Sequence, residues 1–394
     1  ISGAGTLTKI GAGAVTLSGT NTFTGATTIT SGVLTLGNAN ALQNSTVNIN
    51  INNGLDTNGQ ASATIGSLAG TGGLNLGTTS LAAGGNNAST TYSGVLSGST
   101  SLTKSGTGKL TLTGANTYTG NTTVSTGTLQ VGSSGTAGSI VGDVSVGTGA
   151  NLTFNRSDNI TFGNVISGAG SVTHNGGGIL TLTGTNTYTG VTTVNLGTLQ
   201  IEGSLASTGS VSVSSGSTIA GSGTVGNLTM SSGAILSPGY NGINAFHTNS
   251  VMLNSGAIWN IELGMSGTSD QVIAANAFSF SASGIYTVNF FDGTVGDTLQ
   301  SSQVVGQTYR IARYESGNTN YNPSQNQLQA NPGSDLLGVS GTFGTSNSDG
   351  YSYLTFTPTT FQPVPTLPAW LAFPVGAGVM ALMSRRKSRR KLLA

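Results

Sequence analysis

The first 245 residues hold four acids, Asp56, Asp143, Asp158 and Glu202, and the nearest two are fifteen positions apart. Carboxylates that cleave glycosidic bonds or hold calcium must converge on one face, usually beside Lys or Arg. This spacing stacks none of them reliably. Asp56-Thr57-Asn58-Gly59 has the opening of a calcium loop without the distal Glu, and reads as a turn. Gly221 to Gly226 matches the phosphate-cradling GxGxxG pattern, yet it opens no helix and lies in a Gly-rich strand repeat. His247 has no acid near it in sequence. His174 stands where Lys9 and Lys104 stand in earlier copies of a repeat, an exchange expected of solvated side chains on an outer face. There is no GxSxG nucleophile elbow and no cysteine, so there is no thiol nucleophile, zinc knuckle or disulfide. No catalytic residue, metal or cofactor is expected.

Composition narrows the classes further. Charged residues make up 6% of the 394, against roughly 25% in an ordinary globular protein. That excludes a charge-rich helical bundle and a nucleic-acid binder with a dense basic footprint. Gly, Thr, Ser and Asn form more than half of the chain, while 36% is still apolar. The net charge of +1 hides an asymmetry, because six of the twelve basic residues fall between Arg385 and Lys391. The body is therefore weakly acidic. Ile1 opens inside a repeat, so the sequence reads as a fragment or a processed product.

Residues 1–36, 96–131 and 166–201 align without a gap, and the last two share 23 of 36 positions. Within each copy apolar residues alternate with Thr, Ser or Gln, as in Leu110-Thr-Leu112 and Leu129-Gln-Val131. A period of two marks short strands with one buried face. Gly19, Gly25 and Gly32, with their equivalents, fall between strands, where corners need positive φ or leave no room for a Cβ. Such short strands cannot form independent cores, but stacked as coils they bury one another. The expected fold is all-β, a right-handed parallel β-helix over 1–295 with three strands in each coil of roughly 20 residues. About 14 coils would make a rod of roughly 70 Å. Leu110 and Leu112 would line the interior, Asn116 and Tyr118 a corner, and Val124 another wall. A string of β-sandwiches is the competing architecture.

The pattern GxLTLTGxNTYTGxTTVxxGTLQ resembles the autotransporter-associated β-strand repeat, or passenger-associated transport repeat. The resemblance implies a β-helical extracellular passenger. Classical members end in a translocating β-barrel, which this sequence is expected to lack.

Aromatics concentrate after residue 245, among them Trp259, Phe278, Phe280, Phe290, Phe291, Tyr351 and Tyr353. They alternate with small or polar residues, which predicts a wider core and then a C-terminal β cap over 296–361. A sugar-binding aromatic surface is the alternative. Residues 362–394 form a third unit. Leu367 to Met383 is a mostly apolar run at the short limit for spanning a bilayer, expected as a short hydrophobic helix. Val364, Pro365, Thr366, Leu367 and Pro368 precede it, and Arg385, Arg386, Lys387, Arg389, Arg390 and Lys391 follow. The basic cluster would stay in the cytoplasm and leave the body outside. This three-part tail resembles the PEP-CTERM class of sorting signals, in variants reading VPLPA or IPTL. The resemblance implies an exosortase-like protease as partner and transient inner-membrane anchoring through 367–383. A plain membrane anchor is the alternative.

Together these readings point to an exported, non-catalytic rod at the surface or in the matrix of a Gram-negative bacterium. Self-association into oligomers or filaments and contact with extracellular polysaccharide are expected of it. The alternative is a carbohydrate-binding or polysaccharide-degrading β-helix.

Overall fold

The computed structural model describes residues 1–240, 242–281, 284–292, 301–315, 326–332 and 336–363. They form a parallel β-solenoid of about 13 turns with almost no helix. At ~4.8 Å per turn the rod is roughly 60 Å long. Each strand pairs in parallel with the strand one coil further on: Leu102 lies against Thr122 and Leu110 against Leu129. Some coils are longer, as where Leu129 pairs with Leu152 after the excursion through residues 133–138. Such excursions leave fewer coils than an even spacing predicts.

The register shows what one repeat copy is. In the second copy Leu102–Lys104 pairs with Thr122–Val124, and Lys109–Leu112 with Thr128–Val131. The first copy pairs Leu7–Lys9 with Thr27–Ile29 and Ala14–Leu17 with Val33–Leu36. The third pairs Val172–His174 with Thr192–Val194 and Ile179–Leu182 with Thr198–Ile201. Each copy therefore supplies two successive rungs on two walls, and its first half stacks on its second. The alternation Leu-Thr-Leu aligns like with like across the rung. Leu110, Leu112, Leu129 and Val131 are all buried, and each such side chain contributes about 1.5–3 kcal/mol when fully buried.

Backbone approach at the corners selects glycine. A Cβ on Gly120 would sit 2.2 Å from the carbonyl oxygen of Thr100 in the coil below. At Gly25 and Gly190, the equivalent positions, the corresponding distance is 2.1 Å. No other residue fits there without moving a coil.

Parallel pairing continues in the strands on either side of residues 293–300, which lie outside the described residues. The strand Gly284–Asp292 pairs with Asn326–Pro332, and Gln271–Ala274 with Tyr309–Glu315. Direction then reverses. Tyr351–Pro363 runs antiparallel to Tyr309–Glu315 on one side and to Leu336–Ser348 on the other. The aromatics fill this end: Trp259 stacks on Phe278 at 5.3 Å between centroids, and Phe290 on Phe356 at 4.1 Å. Trp259, Phe278, Phe280 and Phe290 are buried, whereas Tyr351 is exposed.

Candidate functional site

The Lys9, Lys104 and His174 positions lie inside the rod, which corrects the expectation of an outer face. Lys104 is 1% and His174 3% exposed. Period-two alternation from the buried Leu102 points the third residue of Leu-Thr-Lys inward. The Lys104 ammonium then reaches the corner, where it donates to the carbonyl oxygens of Ser105 at 2.6 Å, Gly106 at 2.7 Å and Thr126 at 3.3 Å. Lys9 repeats this on Ile10, Gly11 and Ser31. Three donors meet three carbonyls, two in the Lys's own corner and one in the coil above. Burial lowers the Lys104 pKa, and the three carbonyls favour the charged form. His174 faces the same corner with less. Its Nε2 lies 3.1 Å from the Gly178 carbonyl oxygen, and its Nδ1 is buried with no partner. Burial holds its pKa below the ordinary histidine value.

The Asn-Thr-Tyr segment forms the next corner, as its spacing predicts, but with its side chains turned in. Asn116 Oδ1 accepts the Leu96 N–H at 2.8 Å, and its Nδ2 donates to the Ser139 carbonyl at 2.7 Å. Asn186 repeats this between Ile166 at 2.9 Å and Ser204 at 3.2 Å. One amide thus bridges three consecutive coils. Tyr118 and Tyr188 are buried, their hydroxyls 2.6 Å and 2.5 Å from Thr122 and Thr192 Oγ1. In the first copy Phe23 has no hydroxyl to offer, and Thr27 pairs with Ser45 at 2.8 Å instead.

The dispersed acids serve the same stacking. Asp143 Oδ1 accepts the Val165 N–H at 3.0 Å, and Glu202 accepts from Ser222 Oγ at 2.6 Å. Asp158 pairs with Arg156 at 2.6 Å, and that pairing holds its carboxyl below the usual range. Asp56 accepts the Asn58 N–H at 2.8 Å, making the turn expected of it, with Asn58 at φ 54°. The glycines of the GxGxxG match pack against neighbouring coils, so that a Cβ on Gly221 would meet the Ile201 oxygen at 2.1 Å. Among the described residues no three His, Cys, Asp or Glu side chains gather as a metal site.

One wall carries a ladder of uncharged polar residues, buried at Thr111, Gln130 and Thr153, half-buried at Thr173, Thr193 and Ser212, and exposed at Thr91 and Thr229. Thr91, Thr111, Gln130, Thr153, Thr173, Thr193, Ser212 and Thr229 follow one another rung by rung. Two features escaped the sequence reading. Asp270 is buried, its oxygens each accepting a backbone N–H at 2.9 Å, from Asn244 and Glu262. Burial nonetheless pushes its carboxyl up to about 8. Arg310 and Arg313 lie over Tyr353 and Tyr351 in the terminal sheet. Neither follows from local sequence, since both depend on contacts between distant strands.

The sorting motif Val364–Pro368, the apolar run 367–383 and the basic tail Arg385–Lys391 lie outside the described residues. Among the described residues no helix is long and apolar enough to cross a membrane.

The passenger-associated-transport-repeat family matches residues 7–36, 102–131 and 172–201, which are the three segments whose halves stack on each other. Over 113 residues, 27% of this chain, the sequence is 44% identical to the adhesin BmaC autotransporter of Brucella suis biovar 1 (strain 1330). Over 119 residues, 30% of the chain, it is 39% identical to an extracellular serine protease of Serratia marcescens. The aligned segments span 3% of the adhesin's length and 11% of the protease's. The chain carries three passenger-associated transport repeats, each folded as a pair of stacked rungs of a β-solenoid.

Proposed function

We propose that this chain is an exported, non-catalytic rod acting as an adhesive or structural element at a Gram-negative cell surface or in its extracellular matrix. The observation that carries this reading is the use the repeat makes of its polar residues. Lys9, Lys104, Asn116, Asn186, Tyr118 and Tyr188 are all turned inward and bonded within or between coils. The repeat is thus a stacking device. An adhesin and a protease both contain a related segment, which supports a scaffold role separable from any one activity. Binding by the rod would run through the exposed and half-buried Thr and Ser of the ladder, with many weak contacts summed by avidity.

The tail extends this reading. Val364 to Pro368 would be recognised by an exosortase-like protease, the run 367–383 would hold the chain in the inner membrane meanwhile, and Arg385 to Lys391 would remain inside. The experiment is to express the full reading frame in a non-adherent Gram-negative host and measure attachment and matrix retention. Increased attachment, with no hydrolysis of polysaccharide or protein by the purified chain, is the expected result. Hydrolysis, or no gain in attachment or matrix, would overturn the proposal. Intact mass of the surface protein tests the tail: a mature form ending near Pro368 is expected, and retention of Arg385–Lys391 would leave only a plain anchor.

A further inference from the structure

Only six basic residues precede the tail: Lys9, Lys104, Lys109, Arg156, Arg310 and Arg313. Lys9 and Lys104 are tied to corner carbonyls, and Arg156 to Asp158 and to the Thr136 and Gly138 carbonyls. Lys109 is exposed at the start of its strand. Arg310 and Arg313 share one strand.

Strict alternation along Tyr309–Glu315 would send these two arginines to opposite faces. A register shift between Arg310 and Ala312 prevents that. Ile311 and Ala312 are both buried, and both arginines turn to the outer face. Bulges re-aim side chains in this way. On the adjoining strand Tyr351 and Tyr353 stand two residues apart on that face, ~7 Å along it. The Arg310 guanidinium carbon lies 4.1 Å from the Tyr353 ring centroid, and Nη2 donates to Ser348 Oγ at 2.9 Å. The Arg313 guanidinium lies 4.6 Å from the Tyr351 centroid. Stacking fixes both guanidinium planes while their in-plane N–H groups, apart from the Arg310 Nη2 donor to Ser348 and the buried Arg313 Nε, keep the ability to donate.

Arg313 Nε is shut off from water and bonded to nothing. The Arg313 groups that can meet a ligand are therefore its two Nη atoms. Among the described residues the ion pair is Arg156–Asp158, and neither terminal arginine is paired with a carboxylate. Glu315 ends the same strand, and Asp349 sits in the turn beyond Ser348, whose hydroxyl it accepts at 3.3 Å. His247 faces Arg313 across Ile273. Burial first, and then the Arg313 charge, hold its pKa below the ordinary value. The positive charge is felt across the face.

We infer that Arg310 and Arg313, mounted on Tyr353 and Tyr351 at the end of the rod, bind the carboxylates of an acidic polysaccharide. This assigns a site that the adhesive-rod reading does not contain, and it stands or falls on purified protein. A planar guanidinium edge matches a carboxylate two bonds at a time. One carboxylate on an exposed cation gains little in water, whereas a chain with repeated carboxylates can engage both forks and rebind. The exposed hydroxyl of Ser346, opposite Tyr353 on the neighbouring strand, offers a partner for sugar hydroxyls.

The test is retention of the full chain on immobilised polygalacturonate at low salt, beside neutral dextran and polyglutamate. Binding to polygalacturonate alone is expected, weakening as salt rises. The paired change Arg310→Gln with Arg313→Gln should weaken it at least tenfold, and Lys109→Gln should leave it unchanged. Arg313→Lys keeps the charge and loses the fork, so it should still weaken binding severalfold. Galacturonate monomer should compete poorly at equal carboxylate concentration. Equal retention on dextran or polyglutamate, equal loss from Lys109→Gln, full competition by the monomer, or an unaffected double variant would each overturn the inference.

Discussion

Asn116 Oδ1 accepts the backbone N–H of Leu96 at 2.8 Å, although the two residues lie on successive coils and no strand pairing joins them. A side-chain amide here takes the part that a ladder carbonyl takes within a wall. The same amide donates to Ser139 in the coil above. Asn116→Leu would leave a buried N–H and a carbonyl without partners, at about 1–3 kcal/mol for each. Urea unfolding should show a drop of that size. A change below ~0.5 kcal/mol would mean that water replaces the amide.

The Lys corner makes a paired prediction. Lys104→Met keeps the buried stem and removes three donors from three carbonyls, so it should destabilise by about 2–3 kcal/mol. His174→Lys should do the opposite, by restoring the ammonium where the imidazole makes one contact. A higher midpoint for His174→Lys is the expected outcome of thermal unfolding. A lower one would show that the third corner is shaped for a ring.

His174 also sets a pH dependence. Its folded pKa lies below the unfolded value, so the unfolded chain binds more protons between the two. Stability contributed by the neutral ring is complete above about 6.5, the unfolded pKa, and is lost as pH falls towards the folded one. Comparing wild type with His174→Gln from pH 7.5 to 5 isolates the effect, because His247 remains in both. The wild type should lose more stability on acidification. Parallel curves would remove His174 as the cause.

Asp270 acts in the opposite direction. Burial raises its folded pKa to about 8, so the folded chain holds the extra proton. Stability should fall as pH rises from about 4, where the unfolded group titrates, to about 8. Asp270→Asn should flatten that slope. A wild-type slope of opposite sign would show that the Asn244 and Glu262 N–H donors, which favour the ionised form, outweigh burial.

The walls of the rod were legible because alternation and a coil of about twenty residues are local patterns, visible in Leu110-Thr-Leu112 and its copies. The corner was legible in position and misread in direction. Alternation placed Lys104 inward, and the expectation that charge seeks water overrode it; the ammonium escapes the apolar wall by reaching corner carbonyls. Arg310 and Arg313 were not legible at all. Their shared face depends on a bulge, and a bulge depends on which distant strand lies opposite.

The central claim is that the repeats stack as successive rungs along one axis. The chain has no cysteine, so pairs of introduced cysteines can carry spin labels at chosen rungs. Thr91 and Thr193 are five rungs apart on the polar ladder. Thr91 and Thr229 are seven apart. Pulsed electron paramagnetic resonance should give separations near ~24 Å and ~34 Å, growing by ~4.8 Å per rung. Distances that do not grow with rung number would contradict the solenoid and every role assigned to its corners.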